Sequence, residues 1–308
     1  MWILILPWLL CILLLALGGF LFKKWWKCSA AIAVCIVILN VYGRVFSMGF
    51  IQHLLTVDEA KTIKVMTWNI NGMEYDSLKV EGILERIRGE SPDFVFLAED
   101  FGTGTHIHKK LSCLYPYSSL DVVDCHHCAY CRYPIDSIAY IETDVNDQVK
   151  PLRFYMNVLG LDLCIYGCHL ASNNYSEHKE DLHLDSVNTQ GDVHRYLENI
   201  KNASAWREKQ VDAILADRSR MGCERNIVMG DMNDISGSSP LRKLENVGIS
   251  DAWWKGGLGY GATITYPLPY RIDHIMYDDG LKLISIKKVC ASGLSDHDAL
   301  VATFSLKY

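Results

Sequence analysis

The segment Gly230-Asp231-Met232-Asn233-Asp234 follows a short apolar run, residues 226–229, that is typical of a buried strand. Gly230 would let the backbone turn there, and sites in α/β proteins form at the carboxyl ends of strands. In extended geometry Asp231 and Asn233 point the same way, so they could hold a metal-bound water and a phosphoryl oxygen side by side. A plain turn has the same composition, and the rest of the sequence decides between the two.

Residues 1–49 contain no Asp or Glu and two long apolar segments, at about 2–22 and 28–46. Each segment is close to the roughly 20 residues that span a bilayer. The turn between them, Lys23 to Lys27, has three Lys and two Trp, which predicts a transmembrane helical hairpin with a cytoplasmic turn. A cleaved signal peptide fits poorly, because no basic residue precedes the first segment and a second segment follows at once. We therefore expect a multi-pass protein of a plasma or inner membrane, anchored in the lipid bilayer through residues 1–49, with an extracytoplasmic domain.

The remaining chain predicts a linker at 50–61 and one domain at 62–308. Four of the 30 Lys and Arg precede residue 50 but none of the 36 Asp and Glu, so 26 cations face 36 anions, a net charge of −10. An acidic domain is a poor partner for duplex DNA, whose binding depends on neutralising phosphates. Eight of the 11 Cys lie in this domain and could form disulfides outside the cytoplasm, but the sequence does not identify the pairs.

Hydrophobic patterning in the domain indicates many strands and few helices. Amphipathic helices are predicted at 78–88 and 196–218, and a polar surface loop at 171–189. Further strands are predicted at 63–70, 94–98, 137–142, 152–158, 161–168, 270–277, 281–289 and 300–306. Adjacent strand pairs favour an α/β sandwich of two sheets over a parallel, doubly wound sheet.

Polar side chains follow four of these strands directly. They are Asn69, Glu99, His169, and Asp231 with Asn233, and two later segments add Asp273, Asp296 and His297. Carboxylates suit Mg²⁺ or Mn²⁺, and a His hydrogen-bonded to an Asp can act as a general base or orient a phosphate. The set predicts metal-assisted attack of water on a phosphate ester.

Six motifs in sequence order, spanning about 63–306, resemble the endonuclease/exonuclease/phosphatase superfamily. They are Thr67-Trp68-Asn69, Leu97-Ala98-Glu99, Cys168-His169-Leu170, Gly230 to Asp234, Arg271 to Ile275, and Ser295-Asp296-His297. That superfamily includes pancreatic deoxyribonuclease, the abasic-site endonucleases, neutral sphingomyelinases and inositol polyphosphate phosphatases. The resemblance implies a four-layer α/β sandwich with two mixed β-sheets and a site at one end of both, here preceded by a two-helix transmembrane hairpin.

The resemblance also implies the metal ligands. Glu99 would be the principal Mg²⁺ ligand, helped by Asn69, with Asp296 as a further carboxylate on the metal side. Asn71 stands where several members have an Asp that also serves the metal, which leaves a second metal contact open.

The remaining residues would act on water and phosphate. Asp231 would orient or deprotonate the attacking water, and Asn233 would hold a phosphoryl oxygen. His169 would stabilise the phosphate or assist the leaving group. His297, held by Asp273, would act as the base or as an electrostatic clamp.

Several neighbouring residues have plainer interpretations. Trp68 is expected in the core, His274 on the face opposite Asp273, and Asp234 as the cap of a turn. The segment 125–131 has three Cys and two His at a spacing that suits zinc. A strand there would point successive side chains to opposite faces, so a disulfide or buried thiols are favoured over one zinc ion.

We therefore expect a membrane-anchored, Mg²⁺-dependent phosphoesterase acting on a small or lipid-borne phosphodiester or phosphomonoester. A nuclease is the alternative within the same chemistry, although nucleic acid is the less favoured partner. A catalytically silent, membrane-tethered binding module is the alternative of another class.

Overall fold

The computed structural model describes residues 2–49, 61–71, 77–100, 106–120, 127–143, 150–173, 190–265 and 268–306. The predicted linker at 50–61, apart from Lys61, and the predicted loop at 171–189, apart from its first three residues, lie outside these ranges.

Seven helices occur within the described residues. They are α1 (Trp2–Phe22), α2 (Trp26–Gly43), α3 (Ser77–Glu90), α4 (His106–Ser112), α5 (Gln190–Met221), α6 (Ser239–Asn246) and α7 (Ala252–Gly256). The apolar spacing that predicted α3 and α5 places Ile83, Leu84 and Ile87 of α3, and Val211 and Ile214 of α5, in buried positions.

The strands form two six-stranded sheets and one short pair. In chain order they are β1 (Ser47–Met48), β2 (Thr62–Asn69), β3 (Phe94–Ala98), β4 (Tyr117–Ser118), β5 (His127–Cys131), β6 (Ser137–Tyr140), β7 (Leu152–Val158), β8 (Leu161–His169), β9 (Asn226–Asp231), β10 (Ser250–Asp251), β11 (Leu258–Gly259), β12 (Asp273–Tyr277), β13 (Leu281–Val289) and β14 (Ala299–Leu306). The first sheet has the order β13-β14-β2-β3-β5-β4, and the second β10-β12-β9-β8-β7-β6.

Each sheet is mixed, with one parallel pair at its centre. These pairs are β2 with β3 and β8 with β9, and their other neighbours are antiparallel. The carboxyl ends of the two parallel pairs deliver Asn69 and Glu99 from the first sheet and His169 and Asp231 from the second. Both central pairs thus supply the polar residues that the sequence singled out.

The apolar residues divide the domain into four layers. One cluster fills the space between the sheets, where Phe96 of β3 and Phe154 of β7 have ring centroids 6.4 Å apart. A second cluster joins the first sheet to α3 and α4, and a third joins the second sheet to α5 and α6. The predicted four-layer α/β sandwich with two mixed sheets is therefore confirmed.

Several strand boundaries differ from the sequence prediction: β6 ends at Tyr140 instead of residue 142, β2 is shifted by one residue, and β9 and β12 differ near the site. Strand β9 continues through Gly230 to Asp231, so the turn comes later. Gly230 is required there because a Cβ would lie 1.9 Å from the carbonyl oxygen of Cys168, and its φ is +137°. Strand β12 begins only at Asp273, because Tyr270 pairs instead with Ile264 in an isolated bridge.

The two N-terminal helices have the length and apolar composition needed to cross a bilayer. Mean hydropathy is 2.6 over Leu4–Phe22 and 1.6 over Trp26–Gly43. Helix α2 ends at Gly43, three residues before the predicted end of the second span, and Arg44 follows in the left-handed conformation. Core helices and signal sequences share these properties, so membrane insertion stays a prediction.

The end of the hairpin contacts the catalytic domain. Val45 packs in a small apolar cluster with Leu6 and Leu10, and Tyr260 of the domain lies against that cluster. Strand β1 then pairs with β11 of the domain. The hairpin and the sandwich thus share a packed junction.

Candidate active site

Asn69 connects the carboxylates of the two sheets. Its Nδ2 donates to Glu99 Oε1 at 2.9 Å and to Asp231 Oδ2 at 3.1 Å. Glu99 has a φ of +55°, a left-handed conformation that costs a non-glycine residue on the order of 1–3 kcal/mol and that clusters at functional sites. The strained turn after β3 places this carboxylate beside that of β9.

His169 completes a compact group with the same two carboxylates. His169 and Asp231 are register partners in the parallel pair β8–β9. His169 Nε2 lies 3.4 Å from Glu99 Oε1 and 3.9 Å from Asp231 Oδ2. Ligand atoms of Glu99, His169 and Asp231 all lie within 4.8 Å of one another, and two carboxylates at that spacing fit a hard divalent cation.

Asp273 and His297 form a second group against Asp231. His297 Nδ1 donates to Asp273 Oδ2 at 2.8 Å, while its Nε2 lies 3.9 Å from Asp231 Oδ2. Burial alone would lower the pKa of His297, but Asp273 and then Asp231 and Asp296 raise it to about 10. Without a metal ion this imidazole is therefore a cation at neutral pH.

The backbone of His297 is fixed by the core. The indole Nε1 of buried Trp68 donates to the carbonyl oxygen of His297 at 2.8 Å. Ser295 Oγ donates to the carbonyl oxygen of Asn69 at 2.8 Å and accepts from the His297 amide at 3.1 Å. Trp68 is a core residue, as expected, and it also helps to position His297.

Asn233 lies in a left-handed turn, not in the extended geometry expected from the sequence. Its φ is +50°, and its amide donates to Asp231 Oδ1 at 2.8 Å. Its side-chain Nδ2 donates to the carbonyl oxygen of Leu170 at 2.8 Å. The side-chain amide of Asn233 thus lies at the end of β8, where Leu170 follows His169, and its second Nδ2 hydrogen has no acceptor among the described residues.

Asp296 and Asn71 lie at the edge of the site. Asp296 is exposed, its Oδ1 lies 3.3 Å from Ser295 Oγ, and it belongs to neither group of ligand atoms. Asn71 has a φ of +54°, and its amide donates to Asn69 Oδ1 at 2.9 Å. Asn69 therefore turns its Nδ2, which is not a metal donor, toward Glu99 and Asp231.

Buried Arg207 holds the turn after Asp231, and the sequence analysis did not predict this contact. Arg207 Nε donates to Asp234 Oδ2 at 3.0 Å, and its NH1 donates to the carbonyl oxygen of Ala171 at 2.8 Å. Asp234 Oδ1 also accepts from the Ile235 amide at 3.0 Å, as its expected capping role requires. Nothing in the sequence marks Arg207, because an Arg within a helix is usually exposed.

His274 belongs to the scaffold, as its position opposite Asp273 predicted. It is fully buried, with Nε2 3.0 Å from the carbonyl oxygen of Asp234 and Nδ1 2.8 Å from Arg271 NH1. Arg271 also donates to Asp251 Oδ2 at 2.8 Å. Arg271 lies in the motif Arg271 to Ile275 of the sequence analysis. Its position two residues before Asp273 was therefore the sequence feature that could have pointed to it.

A second imidazole beside His169 was also not foreseen. The ring of buried His127, the first residue of β5, lies 5.5 Å from the ring of His169 in an edge-to-face arrangement. The sequence offered no signal for this contact, since His127 stood out only within the ligand-rich segment 125–131.

The fold and the arrangement of these side chains match a family whose members are metal-dependent hydrolases of phosphodiester bonds. The model of the Endonuclease/Exonuclease/phosphatase family matches residues 66–297, and the chain belongs to that family. Among curated proteins, none matches this sequence.

Several solved structures share the fold at low identity. Humanized D. rerio TDP2, carrying 14 mutations, has a TM-score of 0.59 and 18% identity over 79% of this chain and 99% of its own. The human Nocturnin catalytic domain with bound sulfate has a TM-score of 0.58 and 19% identity over 82% and 97%. D. rerio TDP2 in complex with a single strand DNA product has a TM-score of 0.57 and 16% identity over 79% and 99%. Likeness at these identities concerns the fold alone.

Proposed function

We propose that this chain is a membrane-anchored, Mg²⁺-dependent phosphoesterase that hydrolyses a small or lipid-borne phosphodiester or phosphomonoester. The observation that carries the proposal is the convergence of Glu99, His169 and Asp231 with the Asp273–His297 pair at one end of the sandwich. Every group needed for metal-assisted attack of water on phosphorus is then within reach of one bound phosphate.

Glu99 would hold the ion, and exposed Asp296 would supply a further carboxylate from the rim, while Asp231, whose oxygen lies within 4.8 Å of that of Glu99, would hold the attacking water next to the ion. Oxygen donors of this kind favour Mg²⁺, and Mn²⁺ would substitute. A bound ion would polarise a phosphoryl oxygen and neutralise charge that develops on the phosphate. Asn69 would keep the carboxylates of Glu99 and Asp231 at this spacing. Its Oδ1 would serve as a metal ligand only if the side-chain amide flipped and exchanged the positions of Oδ1 and Nδ2.

Asp231 would orient and deprotonate the attacking water. The Asn233 amide occupies its Oδ1, and Asn69 donates to its Oδ2, which also faces His297 Nε2. His297, held by Asp273 through its Nδ1, would act as an electrostatic clamp on the phosphate or as the base. His169 and the free N–H of Asn233 would bind phosphoryl oxygens, with His169 on the leaving-group side.

The junction with the hairpin supports a substrate delivered from the bilayer. The Tyr270 hydroxyl donates to the carbonyl oxygen of Leu4 at 3.1 Å, and Trp8 Nε1 lies 3.4 Å from that hydroxyl. Ile264 forms isolated bridges with both Tyr270 and His297. One short segment therefore connects the start of α1 to the catalytic histidine, which favours a site that opens near the membrane surface.

Exposed apolar side chains at the same junction support this orientation. Met48 and Leu258 are register partners in the β1–β11 pair, and they are 68% and 78% exposed. Paired apolar residues directly after a membrane hairpin suit the interfacial region of a bilayer. Cys164 and Cys223 lie close enough to form a disulfide, with Cα atoms 6.2 Å apart, and such a bond would suit the extracytoplasmic compartment that the hairpin topology predicts.

A nuclease is the second candidate. One of the structures that share this fold is a TDP2 complex with a single strand DNA product, so the same architecture admits nucleic acid in that protein. The net charge of −10 on residues 50–308 weighs against this substrate, because phosphate-backbone binding needs cations.

The test is hydrolysis by the full-length protein in detergent-free bilayers of three substrates: bis(p-nitrophenyl) phosphate, plasmid DNA and sphingomyelin. Each is assayed with Mg²⁺, with chelator and with Glu99→Gln. Metal-dependent cleavage of sphingomyelin or of the small diester, with the plasmid intact, is expected. Nicking of plasmid at a comparable rate would favour the nuclease, and no turnover by folded protein would contradict a general phosphoesterase.

A paired substitution tests delivery from the bilayer. Leu258→Glu should slow hydrolysis of the lipid substrate and leave bis(p-nitrophenyl) phosphate turnover unchanged. The control is Leu159→Glu, at the turn between β7 and β8, where the side chain is 44% exposed at the opposite end of the second sheet from His169. Equal rates for both variants on lipid would remove the interfacial part of the proposal.

A further inference from the structure

A second group of metal-donor side chains lies behind the turn that carries Glu99. Asp100, His108 and Cys128 are buried, and one ligand atom from each lies within 4.8 Å of the others. They come from three elements: the turn after β3, helix α4 and strand β5. We propose that these three side chains form a zinc site, separate from the catalytic metal site and built around the thiolate of Cys128.

The donor chemistry distinguishes this group from the catalytic one. Zn²⁺ binds thiolate, imidazole and carboxylate at about 2.0–2.3 Å in a tetrahedron, so the donor atoms lie roughly 3–4 Å apart. His108 Nε2 and Asp100 Oδ2 are 3.5 Å apart. A sulfur donor selects zinc over Mg²⁺, whereas the group of Glu99, His169 and Asp231 has no sulfur.

Tyr130 orients the imidazole for this role. Its hydroxyl is hydrogen-bonded to His108 Nδ1, and both groups are buried. When Nδ1 donates to an oxygen, the lone pair of Nε2 is directed to the metal, and such partners behind a ligand are typical of zinc sites. His108 Nε2 faces Asp100, so the imidazole is already turned toward the other donors.

Strand alternation separates the thiols of β5. Cys128 lies with Tyr130 in the cluster between the first sheet and the helices, whereas Cys131 lies in the core between the two sheets. These two Cys therefore cannot share an ion, as their spacing in a strand predicted. Cys128 instead meets donors from other elements, and Cys131 provides a matched buried thiol on the opposite face.

The site would stabilise the strained turn of the active site. Asp100 follows Glu99 directly, and Cys128 is the register partner of Leu97 in the β3–β5 pair. An ion bound by Asp100, His108 and Cys128 would fix that turn from the helix side of the sheet, while Glu99 faces the substrate side. Its loss should therefore lower both thermal stability and the activity that depends on Glu99.

The experiment uses the full-length protein in detergent, stripped with chelator under reducing and anaerobic conditions, and titrated with Co²⁺ alone. One equivalent should give a thiolate-to-cobalt charge-transfer band. The band should disappear in Cys128→Ser and remain in Cys131→Ser and in Glu99→Gln. Persistence in Glu99→Gln separates this site from the proposed catalytic metal, even if no phosphoesterase activity is found.

Zinc affinity gives a second measurement, by competition of Zn²⁺ with a chromophoric chelator. Tyr130→Phe keeps the ring and should weaken Zn²⁺ binding by about 10- to 100-fold, the usual effect of losing a hydrogen bond behind a ligand. Asp100→Asn should weaken it further. A wild-type protein without the charge-transfer band would overturn the proposal, as would a band that survives Cys128→Ser or an affinity unchanged in Tyr130→Phe.

Discussion

Asp273 and His274 are adjacent in β12, yet each belongs to a different buried Asp–His pair. Asp273 accepts from His297 at 2.8 Å and faces the site. His274 lies 3.5 Å from Asp251, and Arg271 contacts both at 2.8 Å. The Asp251–His274 pair thus includes the buried guanidinium of Arg271, whereas the Asp273–His297 pair includes no guanidinium from the described residues.

The guanidinium determines which pair can do chemistry. Burial alone would raise the pKa of Asp251, but Arg271 and His274 hold it far below its usual range. His297 Nε2 lies 3.9 Å from Asp231 Oδ2, which is beyond hydrogen-bond distance, so that carboxylate does not engage its N–H. A saturated network stabilises the fold, whereas a pair with unused hydrogen-bonding capacity is available to a substrate.

The largest expected effect is on catalysis by His297→Gln. Removing a positioned imidazolium should lower kcat for a phosphodiester by about 10²- to 10³-fold. It should also lower the unfolding midpoint of the metal-free protein at pH 7, because the imidazolium–Asp273 pair stabilises the folded state there. The measurement is steady-state hydrolysis together with thermal unfolding.

His274→Gln is the matched control for that variant. It should lower the unfolding midpoint and leave the remaining folded enzyme close to wild-type kcat. If both variants lose activity without losing stability, the distinction between a catalytic and a structural pair is wrong.

The second expected effect is on stability, in Arg271→Met. Removal of one partner from a buried ion pair leaves Asp251 as an unpaired charge, at a cost of about 3–5 kcal/mol. Urea unfolding of the full chain in detergent measures it. The double variant Arg271→Met with Asp251→Leu should recover much of the loss, and failure to recover would show that packing, not charge, dominates.

The sequence predicted the sandwich well because its signals are local. Short apolar runs fixed the central strands, and the polar residues that follow them fixed Asn69, Glu99, His169 and Asp231 at one end of both sheets. Steady-state kinetics of the variants will test whether these residues have the proposed roles.

Sequence reasoning failed where long-range contacts override local pattern. Extended geometry could not anticipate the left-handed turn at Asn233, which the Asp231 carboxylate stabilises by accepting its amide. Arg207 belongs to a helix 27 residues before Asp234, and no local signal marks that partnership. The contact of Asp100 with His108 and Cys128 likewise exists only after three elements pack together.

The third expected effect is a pH dependence of stability, which we expect for the Asp273–His297 pair but not for the Asp251–His274 pair. The pKa of His297 is raised to about 10, so its stabilising contribution is complete below the unfolded value of about 6.5 and is lost as pH rises through about 10. The metal-free protein should therefore lose stability relative to His297→Gln as the pH rises from about 7 to 10.

Asp251 provides the contrast for that measurement. Its pKa is depressed, so its contribution is present above about pH 4 and is lost only in stronger acid. The measurement is the free energy of unfolding in chelator from about pH 6 to 10 for wild type, His297→Gln and His274→Gln. It separates the contribution of the Asp273–His297 pair from that of the Asp251–His274 pair. A slope that disappears in His274→Gln but persists in His297→Gln would reverse the assignment.

The smallest expected effect concerns Thr263, which supports Asp273 through the backbone. Buried Thr263 Oγ1 accepts from the amides of Ile272 and Asp273, each at 3.2 Å. Thr263→Val keeps the shape and leaves the buried amide of Asp273 and the part-buried amide of Ile272 without that acceptor, at a cost of about 1–3 kcal/mol. Because these amides set the start of β12, activity should fall several-fold, far less than in His297→Gln. Thr263→Ser keeps the acceptor and should retain most of the activity, whereas equal losses in Val and Ser would assign the effect to the missing methyl group.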